Sequence, residues 1–507
     1  MEGLDRESSE KLLASRKEKV KKERLAEIHE TIKGHPLALQ LIDVKNGLVT
    51  RDVKNYLRKE IYLELTREEK NLAEIASVFR KQIEAKALLI EDVNYDTLDD
   101  LVKRSLITRV SQDRYEMHDL LKEFFYSTLT PELAKKYHLA AGNYYEKSGE
   151  ITALLEAAYH FLSAGSHKKV AEIATQHGEK TINEGYGKEF KKILTDLNKE
   201  SVPQNSLPRL YILEGTVNYL IGQWEKALEC YTVATNLSKE DESKAEAYLK
   251  IGHLHRKTEK WNAAITNYKK SLDILKRIEN KHLSAEVYRG LGYVYWRNGE
   301  FDKALEHYRK AMKKSKEIND LHEIGIANIE LGNVYNEKGY WDNALSYYNK
   351  SLELLEKIDL PESARVYNNI GDLYLKKEEY DKAIEYFEKC KEISEKIGFV
   401  VMKGWALFNA GECYAKKIEL EKAKEYCDEA LEILRCVKDD LGISALYRNY
   451  GIIYRHKKDW GEATKYFKKC ADFLDKIKMP YDLAYTYFEF AQMYKDKGDR
   501  EKAKEYL

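Results

Sequence analysis

Tyr288-Arg289-Gly290-Leu291-Gly292-Tyr293-Val294-Tyr295, with Ala304 and Tyr308 following, is the stretch from which the rest of the chain can be read. Gly292 has counterparts at Gly215, Gly252, Gly332, Gly371, Gly411 and Gly451, a period close to forty residues, and Ala491 continues the series. Twelve positions after each stands an alanine: Ala227, Ala264, Ala304, Ala344, Ala383, Ala423, Ala463 and Ala503. Four further on come Tyr231, Tyr268, Tyr308, Tyr348, Phe387, Cys427, Phe467 and Leu507. An aromatic or leucine usually precedes the glycine by four, as at Tyr288 and Leu407, and a tyrosine usually follows it by three, as at Tyr295 and Tyr335.

Self-similarity at this period marks stacked supersecondary units. The spacing predicts two antiparallel helices per unit. The glycine lets the first helix approach the second, where the alanine offers little bulk, and tyrosines and leucines fill the space around that contact. One pair cannot bury its apolar face alone; stacked pairs bury a continuous core. The order of small, large and aromatic residues resembles the tetratricopeptide repeat, whose usual unit has about 34 residues. The surplus here falls between the second helix and the next first helix, as in Lys357-Ile358-Asp359-Leu360-Pro361-Glu362. Trp224, Trp261, Trp341 and Trp460 stand nine after the glycine and are expected to pack between helices.

Charge excludes several function classes. Lys plus Arg and Asp plus Glu each number 86, so formal net charge is zero and there is no overall pull towards nucleic acid or an anionic membrane. Charged residues reach 34 % with only 6 prolines, which suits long exposed helices and is compatible with a thermophile. No apolar run reaches the roughly eighteen residues of a membrane span. The charged N-terminus is not a signal peptide. Cys230, Cys390, Cys413, Cys427, Cys436 and Cys470 form no Cys-x-x-Cys pair, and Cys390, Cys427 and Cys470 fall at packing registers, so buried thiols are expected rather than a metal or redox site. A cytoplasmic protein is expected.

Four segments follow. Residues 1–45 read as helical, with Leu4, Leu12, Leu13, Val20, Leu25, Ile28 and Ile32 on one face and a net charge of +1 over 1–33, a solvated helix rather than a nucleic-acid patch. Gly34 ends one helix and Pro36 begins the next. Residues 46–130 combine helical pieces with two strand-like runs, 107–110 and 114–117, joined by Ser111-Gln112-Asp113 as one β-hairpin, which predicts a small winged helix. Residues 131–205 read as a helical linker of degenerate helix pairs. Residues 206–507 are the array, about eight repeats, the last cut inside its second helix. The fold class is therefore all-α: a superhelical solenoid preceded by a helical linker and a winged helix.

Gly34-His35-Pro36-Leu37-Ala38-Leu39 and Met117-His118-Asp119-Leu120-Leu121 flank that winged helix. In this order, ahead of a helical array, they resemble the signal transduction ATPases with numerous domains. The resemblance implies that Pro36 packs against the adenine of a bound nucleotide and that His118 stands by the β-phosphate of ADP. No Gly-x-x-x-x-Gly-Lys-Ser/Thr occurs, so the phosphate cradle is absent and no catalytic residue is assigned. The expectation is a piece of a longer protein: no cofactor in this chain, ADP or ATP in the intact parent. Read without the resemblance, Pro36 is a helix-starting proline and His118 a helix N-terminal histidine.

In tetratricopeptide arrays the first helices line the concave face, and positions three before, one after and four after the glycine point inward. Here they include Arg289, Tyr293 and Trp296; Asn333 and Asn336; Asn368 and Asp372; Phe408 and Glu412; Arg448 and Arg455. Asn369, Asn409 and Asn449 stand two before the glycine, where similar arrays hold the backbone of an extended peptide, and Trp405 is one turn earlier. Aromatics, amides and arginines suit a ligand with polar and apolar parts. The competing reading is that many of them hydrate the groove or pack between repeats. His253 and His255, two apart on a helix, cannot face one metal.

Three functions are consistent with these residues. The first is the sensor portion of a signalling ATPase, in which a protein, peptide or small-molecule inducer on the concave face changes how the winged helix holds its own nucleotide-binding domain. The second is a stand-alone scaffold for protein–protein interaction. The third is a winged-helix DNA-binding regulator, against which stands a net charge of −2 over residues 50–130.

Overall fold

A computed structural model describes residues 57–88, 95–476 and 479–506. The chain divides into two compact units, Met1–Lys239 and Glu240–Leu507. Pro36 lies outside the described residues.

Among the described residues, the first unit opens with helical turns over 57–64 and helix α1 (Arg67–Ser77). A capping box starts α1: the Thr66 hydroxyl accepts from Glu69 N and the Glu69 carboxylate accepts from Thr66 N. Strand β1 (Ile83–Glu84), α2 (Ala85–Leu88), α3 (Tyr95–Lys103), β2 (Thr108–Ser111), β3 (Arg114–Glu116) and α4 (Asp119–Thr128) follow. The expected hairpin is β2–β3, with Thr108 opposite Glu116. It is not alone: β1 pairs antiparallel with β3, Ile83 opposite Tyr115, giving a three-stranded sheet of order β1-β3-β2. Two residues are too few to show a period of two, which is why β1 could not be read. Ile83 and Tyr115 are buried with Leu72, Ile75, Leu98, Leu101 and Phe125 in one core.

Pro131 then starts α5 (Pro131–Glu146) in its first turn, under a Thr130 cap. Helices α6 (Ile151–Ser163), α7 (His167–Asn183) and α8 (Gly187–Asp196) share a core that includes Phe161, Val170 and Leu194. The pair α9 (Leu207–Leu220) and α10 (Trp224–Leu237) closes the unit. Trp224 departs from expectation: it is 39 % exposed, whereas Trp261, Trp341 and Trp460 are half-buried against cores.

The second unit is helix pairs throughout: α11 (Asp241–Lys257) with α12 (Trp261–Ile278), α13 (Lys281–Arg297) with α14 (Phe301–Glu317), and α15 (Leu321–Glu337) with α16 (Trp341–Leu355). Then come α17 (Leu360–Lys376) with α18 (Tyr380–Ile397), α19 (Val400–Lys416) with α20 (Leu420–Cys436), α21 (Asp440–His456) with α22 (Trp460–Lys476), and α23 (Pro480–Lys497) with α24 (Arg500–Glu505).

The periodic glycine gives the second helix room, and a large side chain takes it. A Cβ added at Gly252, Gly292, Gly332, Gly371 or Gly451 would meet, at 2.5–2.6 Å, the ring of Tyr268, Tyr308, Tyr348, Phe387 or Phe467. The atoms nearest the missing Cβ belong to the ring sixteen residues on, and the alanine twelve on is fully buried at Ala264, Ala304, Ala344, Ala383, Ala423 and Ala463. Gly411 faces Cys427 Sγ instead of a ring. The tyrosine three after the glycine stacks on a ring of the second helix: Tyr295 on His307, Tyr335 on Tyr347, Tyr374 on Tyr386 and Tyr454 on Tyr466, at 5.2–5.5 Å. Each turn inside a pair carries a left-handed residue seven after the glycine: Gly299 and Gly339 but also Glu259, Glu378, Ile418 and Lys458. Cys390, Cys413, Cys427 and Cys470 are buried, and all six cysteines are free.

Candidate functional site

The first helices of the second unit carry the residues that the registers single out, and their contacts sort them into three groups.

The asparagines two before the glycine bridge helices. Asn369 Nδ2 donates to Asn333 Oδ1 at 3.1 Å, Asn409 Nδ2 to Asn368 Oδ1 at 2.9 Å, and Asn449 Nδ2 to the Phe408 carbonyl at 3.1 Å. Asn333 Oδ1 also accepts from the Tyr348 hydroxyl at 2.8 Å. These amides tie each first helix to its predecessor. Asn449 is fully buried, so it is a core residue and not a groove-lining one. Its Nδ2 finds an acceptor within the protein, as buried donors do, while its Oδ1 is buried without a hydrogen-bond partner.

A second group surrounds Arg289, which donates to Glu323 Oε2 at 2.6 Å and to Glu330 Oε1 at 3.3 Å. Burial pushes the Glu330 carboxyl up against the pull of Arg289. Arg289, Asn333 and Asn369 line a hollow of about 420 Å³ with Arg365 and Met402. On the neighbouring first helix, Arg256 lies 4.8 Å over Tyr293, whose ring meets Trp296 edge-on at 5.6 Å.

The third group is a cavity of about 420 Å³ to which α17, α19, α21 and α23 all contribute; Trp405, Phe408, Asn409, Glu412, Arg448, Tyr485 and Asp372 are among the residues that line it. Trp405 and Phe408 meet edge-on at 5.6 Å. The Tyr485 hydroxyl donates to Glu412 Oε1 at 3.1 Å, and burial, then Glu412, push that hydroxyl up. Arg448 lies 4.5 Å over the Tyr485 ring. Beside the cavity Lys416 and Arg455 both donate to buried Glu489, at 2.5 and 2.7 Å, and Arg455 also reaches Asp496.

The expected surface is therefore not one strip. Trp405, Phe408, Asn409, Glu412, Arg448 and Asp372 converge on one cavity, and Arg289, Asn333 and Asn369 on the other. Tyr293, Trp296, Asn336, Asn368, Asn449 and Arg455 line neither. Lys416, Tyr485 and Glu489 were not read from the sequence. Glu489 stands two before Ala491, the register of Asn369, Asn409 and Asn449, so the same register reading, not restricted to amides, would have found it.

In the first unit His118 is the N-cap of α4, its Nδ1 accepting from Leu120 N at 3.2 Å. Among the described residues no cluster of three or more His, Cys, Asp or Glu could hold a metal ion, and no helix is long and apolar enough to cross a membrane.

Stacked helix pairs locked by a glycine and a ring, with mixed polar and aromatic hollows on the first helices, define a helical-repeat array. Residues 243–317, 323–396, 402–476 and 484–507 match the tetratricopeptide repeat family, and the array is made of tetratricopeptide repeats. No curated protein matches the chain by sequence. Its fold is that of a crystal structure of a Signal Transduction ATPase with Numerous Domains protein with a tetratricopeptide repeat sensor, from Pyrococcus horikoshii: 22 % identity over 96 % of this chain and 75 % of that one, TM-score 0.65. Two further solved structures share part of the fold. The apo form of RapI is 19 % identical over 66 % of this chain and 95 % of its own, TM-score 0.55. A Rap protein complexed with competence and sporulation factor is 16 % identical over 67 % and 96 %, TM-score 0.51.

Proposed function

We propose that this chain is the regulatory and sensing portion of a signal transduction ATPase. A peptide, protein or small-molecule inducer occupies the first-helix face of the array, and the helical and winged-helix segments relay its presence to a nucleotide-binding domain. The observation that carries the reading is the cavity where four successive first helices meet: it mixes Trp405 and Phe408 with Glu412 and Arg448, which core packing alone does not require. The fold shared with a tetratricopeptide-sensor protein of the signalling class, and the Rap protein found with a bound factor, support the same reading. In the intact parent, ADP or ATP would be contacted by Pro36 and His118.

The test is a thermal-shift screen of peptides and metabolites against the whole chain, followed by titration of each hit against Trp405→Ala. Loss of a desolvated aromatic anchor should weaken a true ligand by at least about tenfold, with the unfolding temperature retained. Hits indifferent to Trp405→Ala and to Arg289→Met would put binding elsewhere and overturn the reading. The relay is tested separately: joined to a nucleotide-binding domain, His118→Ala should weaken ADP retention, and unchanged retention would refute it.

A further inference from the structure

Glu489 is 1 % exposed, yet it is a carboxylate held by cations from two other first helices: Lys416 of α19 at 2.5 Å and Arg455 of α21 at 2.7 Å. Beside it the Tyr485 hydroxyl donates to Glu412 Oε1 of α19 at 3.1 Å, and Glu412 is itself paired with Arg448 of α21 at 3.8 Å. The Arg289–Glu323 and Asn369–Asn333 bonds join neighbouring pairs; here α23 reaches past α21 to α19, two pairs back. Stacking does not demand this charge, because the register of Glu489 holds Asn369, Asn409 and Asn449 in other pairs, amides that join helices while neutral. The two sides of α23 also differ in chemistry. Towards α22, Phe490 stacks on Phe467 at 5.3 Å and is buried with Met493. Towards α19 it offers Tyr485 and Glu489. Parting an apolar seam is opposed by the hydrophobic effect. Parting a charged seam returns its groups to water, and the attraction between buried ions about offsets their desolvation. The α22 side is therefore the fixed one, and the α19 side can open at little cost.

We propose that the Glu489–Lys416 and Tyr485–Glu412 contacts form a clasp, and that the last helix pair, α23 with α24, is a lid on the cavity of about 420 Å³ that α17, α19, α21 and α23 line. In the closed arrangement seen here, the clasp keeps the Tyr485 ring 4.5 Å under Arg448. In the open one, α23 turns about its apolar seam with α22, Tyr485 leaves the cavity, and Lys416 and Glu489 pass into water. Glu412 keeps Arg448 as its partner. Neither arrangement leaves Glu489 or Glu412 buried without a counter-charge, so the two lie close enough in free energy to exchange. Opening gives the cavity a mouth between α19 and α23. The clasp works in the ligand-free chain and goes beyond the sensing role above: it stands whether or not a ligand is found for the cavity.

Pulsed electron–electron distance measurement on the whole, ligand-free chain reads the two arrangements. Nitroxides are placed at Ile418→Cys, in the turn after α19, and at Lys497→Cys, at the end of α23, with Cys230→Ser and Cys436→Ser; the other four cysteines are buried. The labelled parent should show a shorter and a longer distance. Raising salt from about 0.05 M to about 1 M should enlarge the longer component at least about threefold, because ions favour the separated charges. Glu489→Gln should enlarge it as much at low salt, and Tyr485→Phe by less. Lys416→Met with Glu489→Met makes the seam apolar and should leave only the shorter distance. A single distance in the parent at both salt concentrations would make the contact a fixed strut and overturn the proposal. So would a longer component that neither salt nor folded Glu489→Gln moves. The salt series on the parent decides the matter even if Glu489→Gln does not fold.

Discussion

The Cβ that Gly292 lacks would lie 2.6 Å from Cε1 of Tyr308, sixteen residues later in the paired helix. Glycine in mid-helix costs about 0.5–1 kcal/mol against alanine, so Gly292→Ala would gain that much if the ring could move. Tyr308 is fully buried, and overpacking costs about 1–3 kcal/mol. The steric effect wins. Gly292→Ala should lower stability by about 1–2 kcal/mol in denaturant unfolding, and adding Tyr308→Leu should recover part of it. A variant as stable as the parent would show that the ring is not a fixed stop.

The two kinds of asparagine should separate in mutagenesis. Asn449 is fully buried and its amide serves the Phe408 carbonyl; Asn369 is half-buried and pairs with Asn333. Stranding a buried partner costs about 1–3 kcal/mol. Asn449→Ala should therefore destabilise by that amount, and Asn369→Ala by under about 1 kcal/mol because water can replace its partner. Equal losses would mean that burial does not rank them.

Ile418 sits at φ +63° in the turn between α19 and α20, where the equivalent turns use Gly299 and Gly339. A β-branched residue is strained there. Its side chain is 61 % exposed and contributes little packing. Ile418→Gly should raise stability by about 1 kcal/mol, the left-handed cost exceeding the added flexibility of the unfolded chain. A lower unfolding midpoint would show that the side chain contributes more than its exposure implies.

In the first unit His138 and His160 face each other Nδ1 to Nδ1 at 2.9 Å, among Tyr126, Tyr145, Tyr159, Phe79 and Arg80. Burial pushes His138 down to about 4 and His160 to about 3. With folded values below the unfolded one near 6.5, the unfolded chain binds more protons as pH falls. The stability these neutral rings contribute is complete above pH 6.5 and is lost on acidification towards their folded values. For His160 the loss at pH 5 is about 2 kcal/mol. His160→Phe should flatten the difference in unfolding temperature between pH 7 and pH 5; an unaltered pH dependence would remove His160 from the account.

Much of the architecture is present in the one-dimensional pattern. The series from Gly252 to Gly451, with its alanines and rings, predicts helix pairs, their number and their stacking, because one pair cannot bury its apolar face and stacked pairs can. The turns inside the pairs are less legible: left-handed backbone favours glycine, as at Gly299 and Gly339, but Glu259, Glu378, Ile418 and Lys458 hold the equivalent positions. What no periodicity can express is which side chains spend their polar groups on each other. Asn369, Asn409 and Asn449 look alike in sequence, and only the packing of successive helices decides that Asn449 is buried while the others are half-buried. Lys416 and Glu489, or Glu412 and Tyr485, are 73 residues apart and meet only because first helices two repeats away converge around α21. The pairing of Arg448 with Glu412 is a property of that convergence, since charge pairing depends on distance and burial, and neither is written in the chain until the helices have stacked.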